Sequence, residues 1–392
     1  MRKRNWKRAV LGVVMAAALA ASGELAQAAV QVDPVPGMTA DFVRGADVSM
    51  LPDLEKFGAK FSDMDGTEMD ELAIMKKYGV NWIRLRIWNH PSQGAGGGAM
   101  NAKKALGVTQ RAHALGMKVL LDFHYSDTWA DPGHQLPPYL WKDHSLEQLK
   151  ADVHDFTKET LEYFADEGEL PEMVQVGNEV THGMLWPVGQ LPAKDDGKAF
   201  AQLIESGLQA VHEVDTQHAI KTMIHIDRGG DNKLYRQFFD QLITRNGVND
   251  FDIIGVSFYP FWNGGTKSLQ ANLTDISARY NKDVCVAETA YGYTLDNYDR
   301  QGNLFTAKEA GMGGYRVSPE GQAQAVRDVM AAVAAVPGGR GLGIFYWEPD
   351  WIAIPDATRE NQLTGWENLA MFDKNGRALE SWKVFSDVLP NR

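Results

Sequence analysis

Eight short apolar runs recur along the chain: Phe42–Ser49, Asn81–Trp88, Lys118–Phe123, Met173–Gly177, Lys221–Ile226, Phe251–Phe258, Asp283–Ala287 and Gly341–Trp347. Between them, apolar residues fall at helical spacing over Asp70–Tyr78, Ala102–Leu115, Leu146–Asp166, Asp196–Val214, Leu234–Thr244, Leu269–Tyr280 and Pro319–Val336, and a closing segment, Ala378–Val388, supplies an eighth such pattern. Runs of that length, rich in β-branched and aromatic residues, read as strands, and the longer periodic stretches as amphipathic helices. A strand, a helix and another strand in succession make parallel neighbours joined by a crossover. Helix-ending glycines, Gly79 and Gly116, support the boundaries. Eight such units without a break in composition favour a closed (β/α)8 TIM barrel in one α/β domain, 29–392, with long βα loops. The rival, a doubly wound open sheet, lacks a glycine-rich phosphate loop after any strand.

The polar residues then acquire places. Glu179 and Glu288 follow the fourth and seventh runs, so both emerge at the strand C-termini, across the barrel mouth from one another. Two carboxyls so placed suit a retaining glycosidase, in which one is a nucleophile and the other an acid/base. Either glutamate alone would equally read as a solvated loop residue.

Arg84 and Arg86 alternate with Ile83, Leu85 and Ile87, which points both guanidiniums into the barrel. A buried arginine needs a partner, and a site carboxylate is the natural one. Depth alone favours a structural ion pair for Arg84 and a site role for Arg86, which lies nearer the strand end. Asp122 and His124 on the third strand, with Tyr125 and Asp127 beyond, form a polar cluster. No second histidine stands at ligand spacing, so sugar hydroxyls suit this cluster better than a metal. Trp88, Trp129, Trp141, Trp186, Tyr259, Trp262, Trp347 and Trp351 lie at or after strand ends, as expected of a cleft that stacks on the sugar rings of a polymer, while Trp82 and Trp382 read as core. The long segments Ser126–His144 and Tyr291–Ser318 follow strand C-termini, where loops of such length are usually functional.

Compartment and charge narrow the substrate. Arg2, Lys3, Arg4, Lys7 and Arg8 precede an apolar run, Ala9–Ala21, and Ala26-Gln27-Ala28 offers a cleavage site. This pattern reads as a signal peptide over 1–28 and a secreted or periplasmic protein, with no membrane association after cleavage. Its removal takes five basic residues and one acid, moving the formal charge from -12 to -16. Such a surface disfavours nucleic acid and polyanionic polymers, whereas a neutral polysaccharide meets no repulsion. The single cysteine, Cys285, excludes an internal disulfide and a cysteine-ligated zinc. An open groove for a polymer fits a monomer.

Several segments resemble glycoside hydrolase family 53, a family of endo-β-1,4-galactanases (arabinogalactan endo-β-1,4-galactanases). These are Gly45-Ala46-Asp47-Val48-Ser49, Trp82 to Trp88, Asp122 to Pro132, Gly177-Asn178-Glu179, Gly183 to Pro187, and Tyr346-Trp347-Glu348-Pro349. The resemblance runs from about Phe42 to the C-terminus, and the long third-strand motif is its most specific part. It implies hydrolysis of β-1,4-galactan or type I arabinogalactan, the side chains of pectin, by double displacement without a cofactor. Glu179 would be the acid/base, Glu288 the nucleophile, and Asn178 a ligand of the 2-hydroxyl. His124 and Tyr259 would line the cleavage subsite, and Arg84 would match the strand-two arginine of the wider clan. That last implication opposes the depth argument. Some bacterial members resemble this chain in a strand-seven loop that holds calcium; here Asp296, Asn297, Asp299 and Asn303 offer oxygen ligands for a structural ion, although their spacing is not a recognised calcium loop. Competing readings are a related hydrolase acting on mannan, xylan or glucan, and a non-catalytic carbohydrate-binding barrel.

Overall fold

The computed structural model describes residues 30–91, 100–354 and 363–390. The expected signal peptide at 1–28 and the glycine-rich stretch Gly94–Gly98 lie outside these residues.

Eight strands close into a parallel barrel in chain order: β1 Val43–Asp47, β2 Trp82–Ile87, β3 Lys118–Phe123, β4 Met173–Val176, β5 Lys221–Ile226, β6 Ile253–Ser257, β7 Asp283–Thr289 and β8 Gly341–Trp347. Strand β8 pairs back on β1, from Val43↔Gly343 to Asp47↔Trp347. Alternation along each strand divides the side chains into two environments. One set faces outward into a large apolar layer beneath the helices, and the other fills the barrel.

The interior itself has two levels. At the bottom, Val43, Trp82, Leu120, Met173, Met223, Ile253, Cys285 and Phe345 form a separate apolar plug. Gly45 lets this plug close, because a Cβ there would stand 2.2 Å from the Phe345 ring. Two or four residues further along the same strands, the side chains become Asp47, Arg84, Arg86, Asp122, Gln175, His225 and Ser257, all buried. The barrel is therefore a dry base carrying a polar platform at its C-terminal mouth.

Strand β7 departs from strict alternation. Cys285 and Ala287 both face the apolar plug, so the next residue, Glu288, would point outward in a regular strand. The pairing slips by one residue at this point: Val256 pairs with Val286, but Ser257 pairs with Glu288. The strand-β8 side shows a similar slip, from Ile344↔Val286 to Tyr346↔Thr289. The bulge re-aims the Glu288 side chain into the mouth.

Most expected helices form close to their predicted bounds, with capped starts. Asp70, Asn101 and Ser145 each accept a backbone N–H from the first turn of Glu71–Lys77, Ala102–Ala114 and Leu146–Asp166. Two regions differ from the sequence expectation. The stretch Leu234–Thr244 is an α-helix only over Asn232–Phe239 and continues as a wider π turn, Asp240–Arg245. The closing segment is not one helix: Ala378 is extended, bridging to Phe372 and donating to the Ser62 carbonyl. Only the short turns Glu380–Lys383 and Val384–Asp387 are helical, and Trp382 is driven into the core. Trp82, in the barrel plug, and Trp382 are both core residues, as the sequence suggests. Among the described residues no helix is long and apolar enough to cross a membrane.

Candidate active site

The polar platform converges on Arg84. Its Nη1 donates to Asp47 at 2.8 Å and lies 3.0 Å from Glu288, while Nη2 reaches Asp122 at 2.7 Å and the Asn178 amide oxygen at 2.8 Å. A guanidinium with a fixed fork of donors can hold this many acceptors in one plane; an ammonium could not. The conflict between depth and resemblance is thus resolved. Arg84, the deeper arginine, touches Glu288, because the bulge brings that carboxylate down to it.

Arg86 sits instead beneath an aromatic cage. Its guanidinium carbon lies 4.6 Å from the Trp129 ring centre, 4.9 Å from Trp347 and 5.5 Å from Trp88. Its Nη2 pairs with the buried Glu348, and Asp47 stands 3.7 Å away. Arg86 therefore lines the floor of the same cleft as the two glutamates, among these rings.

Glu288 and Glu179 occupy contrasting surroundings. Glu288 has Arg84 beside it and accepts the Tyr259 hydroxyl at 2.9 Å. Burial raises its pKa, but Arg84 and the tyrosine donor oppose that rise. Glu179 follows Gly177, which adopts a left-handed φ of 81°, and itself stands at φ 45° beyond the end of β4. It accepts one neutral hydroxyl, Ser257 Oγ, at 2.5 Å. Burial, then the Glu288 charge, push its pKa well above the ordinary carboxylate range, and Asp227 and Asp131 add to the effect. Of two neighbouring carboxyls, the one beside a cation ionises first and the other retains the proton. The surroundings therefore favour the ionised form at Glu288 more than at Glu179.

The remaining expected residues divide. Asn178, Tyr259, Trp347 and Trp351 line the cleft, with Trp129 stacked on Trp351 at 6.2 Å. The Asn178 amide nitrogen donates to the Ala130 carbonyl at 2.7 Å. His124 is buried behind this wall; its Nδ1 accepts the Ala130 N–H and its Nε2 lies 3.2 Å from Asp122. Accepting an N–H leaves Nδ1 without a proton, and burial lowers the pKa of the ring in the same sense. Trp88 is buried, its Nε1 bound to the Thr128 carbonyl. Asp127 staples its own loop by accepting the N–H groups of His90 and Tyr139. Trp186 donates to the His182 carbonyl and does not line the cleft.

The cleft, about 440 Å³, has further walls that sequence reasoning overlooked: Asp131, Asp227, Arg228, Gln301, Leu304 and Trp366. Trp366 packs 4.5 Å from Trp347 yet lies far past the end of β8, so no strand-end rule reaches it. Ser257 was detectable in principle, since alternation points it inward at the top of β6.

The strand-seven loop does not assemble a calcium cage. Asp299 accepts the N–H groups of Gln301 and Thr364, and Asn297 accepts that of Asp299 while donating to the Gln301 carbonyl. Asp296 receives the Tyr298 hydroxyl on its carboxylate, and its carbonyl receives the Asn303 amide. Among the described residues no three His, Cys, Asp or Glu side chains could hold a metal. These oxygens close the loop, and the expectation of calcium at Asp296 and Asp299 is not supported.

Residues 43–385 match the sequence model of glycosyl hydrolase family 53. The chain is 39% identical to an endo-β-1,4-galactanase of Bacillus subtilis (strain 168), over 90% of its own length and 87% of the relative's. It is 35% identical to a probable arabinogalactan endo-β-1,4-galactanase A of Neosartorya fischeri, over 88% and 93%. Among solved structures, the Ignisphaera aggregans GH53 catalytic domain superposes with a TM-score of 0.86 at 41% identity, covering 92% of this chain and all of that one. A structure of fungal β-1,4-galactanases follows at 0.76 and 30% identity, covering 88% and 98%. A xylanase of Penicillium canescens, at 0.59 and 14% identity over 91% and 97%, shares the barrel fold. With a buried Glu288 and a half-buried Glu179 at the mouth of the barrel and a tryptophan-lined cleft above them, the chain belongs to glycosyl hydrolase family 53 and is a glycoside hydrolase.

Proposed function

We propose that the protein is a secreted endo-β-1,4-galactanase acting on galactan and type I arabinogalactan with retention of configuration. The observation that carries this reading is the contrast between the two glutamates, Glu288 fixed by Arg84 and Tyr259 and Glu179 surrounded by negative neighbours. The relatives of this chain that carry galactanase names supply the polymer, and the line of tryptophans suits a chain rather than a single sugar.

In the first step Glu288 attacks the anomeric carbon. The glycosidic bond breaks, and the leaving oxygen takes the proton of Glu179. In the second step Glu179, now a carboxylate, removes a proton from water, and the water oxygen displaces Glu288 from the same carbon. Arg84 and Tyr259 bind the nucleophile when it is charged, and Arg84 retains its other partners, Asp47 and Asp122, when it is esterified. Trp347, Trp351 and Trp129 offer flat faces to the apolar sides of the sugars. No cofactor enters either step.

Reducing-end release from purified β-1,4-galactan, beside mannan, xylan and carboxymethyl cellulose, tests the reading. Activity on galactan alone, lost in Glu179→Gln and Glu288→Gln, is the expected result, with the β-anomer appearing first by proton NMR. Preference for another polymer, or an α-anomer first, would overturn the substrate or the mechanism respectively.

A further inference from the structure

The two glutamates are joined by more than proximity. Arg84, which holds Glu288, also donates through Nη2 to the Gln175 amide oxygen at 3.2 Å. The Gln175 amide nitrogen lies 2.7 Å from the Asp122 carboxylate and 3.1 Å from His225 Nδ1. His225 Nε2 lies 2.8 Å from Ser257 Oγ, and Ser257 Oγ lies 2.5 Å from Glu179 Oε1. All three intervening side chains are buried.

Ser257 Oγ donates to Glu179 Oε1, so its oxygen faces His225 Nε2 as an acceptor and the ring proton sits on Nε2. Burial and the charge of Arg84 hold the ring neutral, which leaves Nδ1 bare, 3.1 Å from both the Gln175 amide nitrogen and the Asn178 amide oxygen. The amide oxygen of Gln175 faces Arg84, which only donates, and its nitrogen faces the Asp122 carboxylate, which only accepts.

We propose that His225 and Ser257 are positioning residues that orient the acid/base, fixing Glu179 Oε1 as an acceptor so that the transferable proton resides on Oε2. Neither residue touches the reacting atoms; the effect passes through Glu179. The proposal rests on the galactanase reading and adds to it which glutamate oxygen delivers the proton. His225→Phe removes both ring nitrogens, and Ser257→Ala removes only the terminal donor. His225→Gln can restore both links, since an amide donates and accepts.

The experiment compares kcat/KM on β-1,4-galactan with that on 2,4-dinitrophenyl β-1,4-galactobioside, whose leaving group departs without a proton. H225F and S257A are expected to lose roughly tenfold or more on the polymer and less than about threefold on the aryl substrate. The double variant should be no worse than the weaker single one, because both break one chain. H225Q should recover part of the loss. The alkaline limb of the polymer profile should move to higher pH in S257A, since the Ser257 donor lowers the pKa of Glu179. Equal losses on both substrates would show a merely structural role and overturn the proposal, as would no loss on either. S257A, lacking a single oxygen, decides the matter if H225F does not fold. Wild-type protein that cuts neither substrate would defeat the galactanase reading instead.

Discussion

At the scale of single residues, the site works by giving two identical side chains opposite surroundings. On the proposed mechanism Glu179 carries the proton, and burial together with the negative charges of Glu288, Asp227 and Asp131 penalises its ionised form. Removing one of those charges makes ionisation easier. Asp227→Asn should therefore lower the pKa of Glu179 and move the alkaline limb of the kcat/KM profile on galactan to lower pH, opposite to the shift expected for Ser257→Ala. At Glu288 the Tyr259 hydroxyl favours the carboxylate. Tyr259→Phe should raise the pKa of Glu288 and move the acid limb upward, since the nucleophile must be ionised to attack. The same profiles read both effects; limbs that fail to move in opposite directions would contradict the assignment of acid and nucleophile.

At the scale of elements, the strand ends decide where these side chains point. Alternation legible in the sequence placed Arg84 and Arg86 inside the barrel, and the structure finds them there. It could not place Glu288, because a one-residue slip between neighbouring strands depends on pairing partners far away in sequence. The closing segment failed as a helix for a related reason: its first residues pair with Ser62 and Phe372, contacts that no local period encodes. The barrel plug is equally sensitive to pairing across the sheet. Gly45→Ala would put a methyl group against the Phe345 ring, an overpacking that should cost ~1–3 kcal/mol. Denaturant unfolding of that variant, with Phe345→Leu as a compensating second change, measures the cost.

At the scale of the whole molecule, the interior carries more acids than bases, and the excess reaches beyond the catalytic pair. Asp350 and Glu71 are fully buried, and none of their carboxyl oxygens has a hydrogen-bond partner. Burial first, with added repulsion from Asp47 and Glu55 and opposition from its own backbone amide and Arg86, pushes the Asp350 carboxyl up to about 8. Burial and the charge of Asp350 raise Glu71 as well. An unfolded aspartate ionises near pH ~4. Between that value and about 8 the folded chain holds a proton that the unfolded chain has released. Stability from this group is complete at low pH and declines as pH rises through that window. Asp350→Asn, a neutral isostere, should flatten the fall in melting temperature between about pH 5 and about pH 9. An unchanged slope would mean that the proton resides elsewhere.

The sequence by itself determined the barrel, the ordinal strands of both glutamates, the inward arginines and the aromatic character of the cleft. These follow from periodicity and from the polarity of side chains on strands, which are local properties. Only the tertiary structure decided that Arg84 rather than Arg86 holds Glu288, that Arg86 lies under tryptophans, and that Ser257 and His225 stand behind Glu179. It also turned the Asp299 carboxylate to the backbone N–H of Thr364. Each of these depends on a distance between residues separated by tens or hundreds of positions, and such distances are set by strand register, the β7 bulge and the packing of the loops over the barrel mouth.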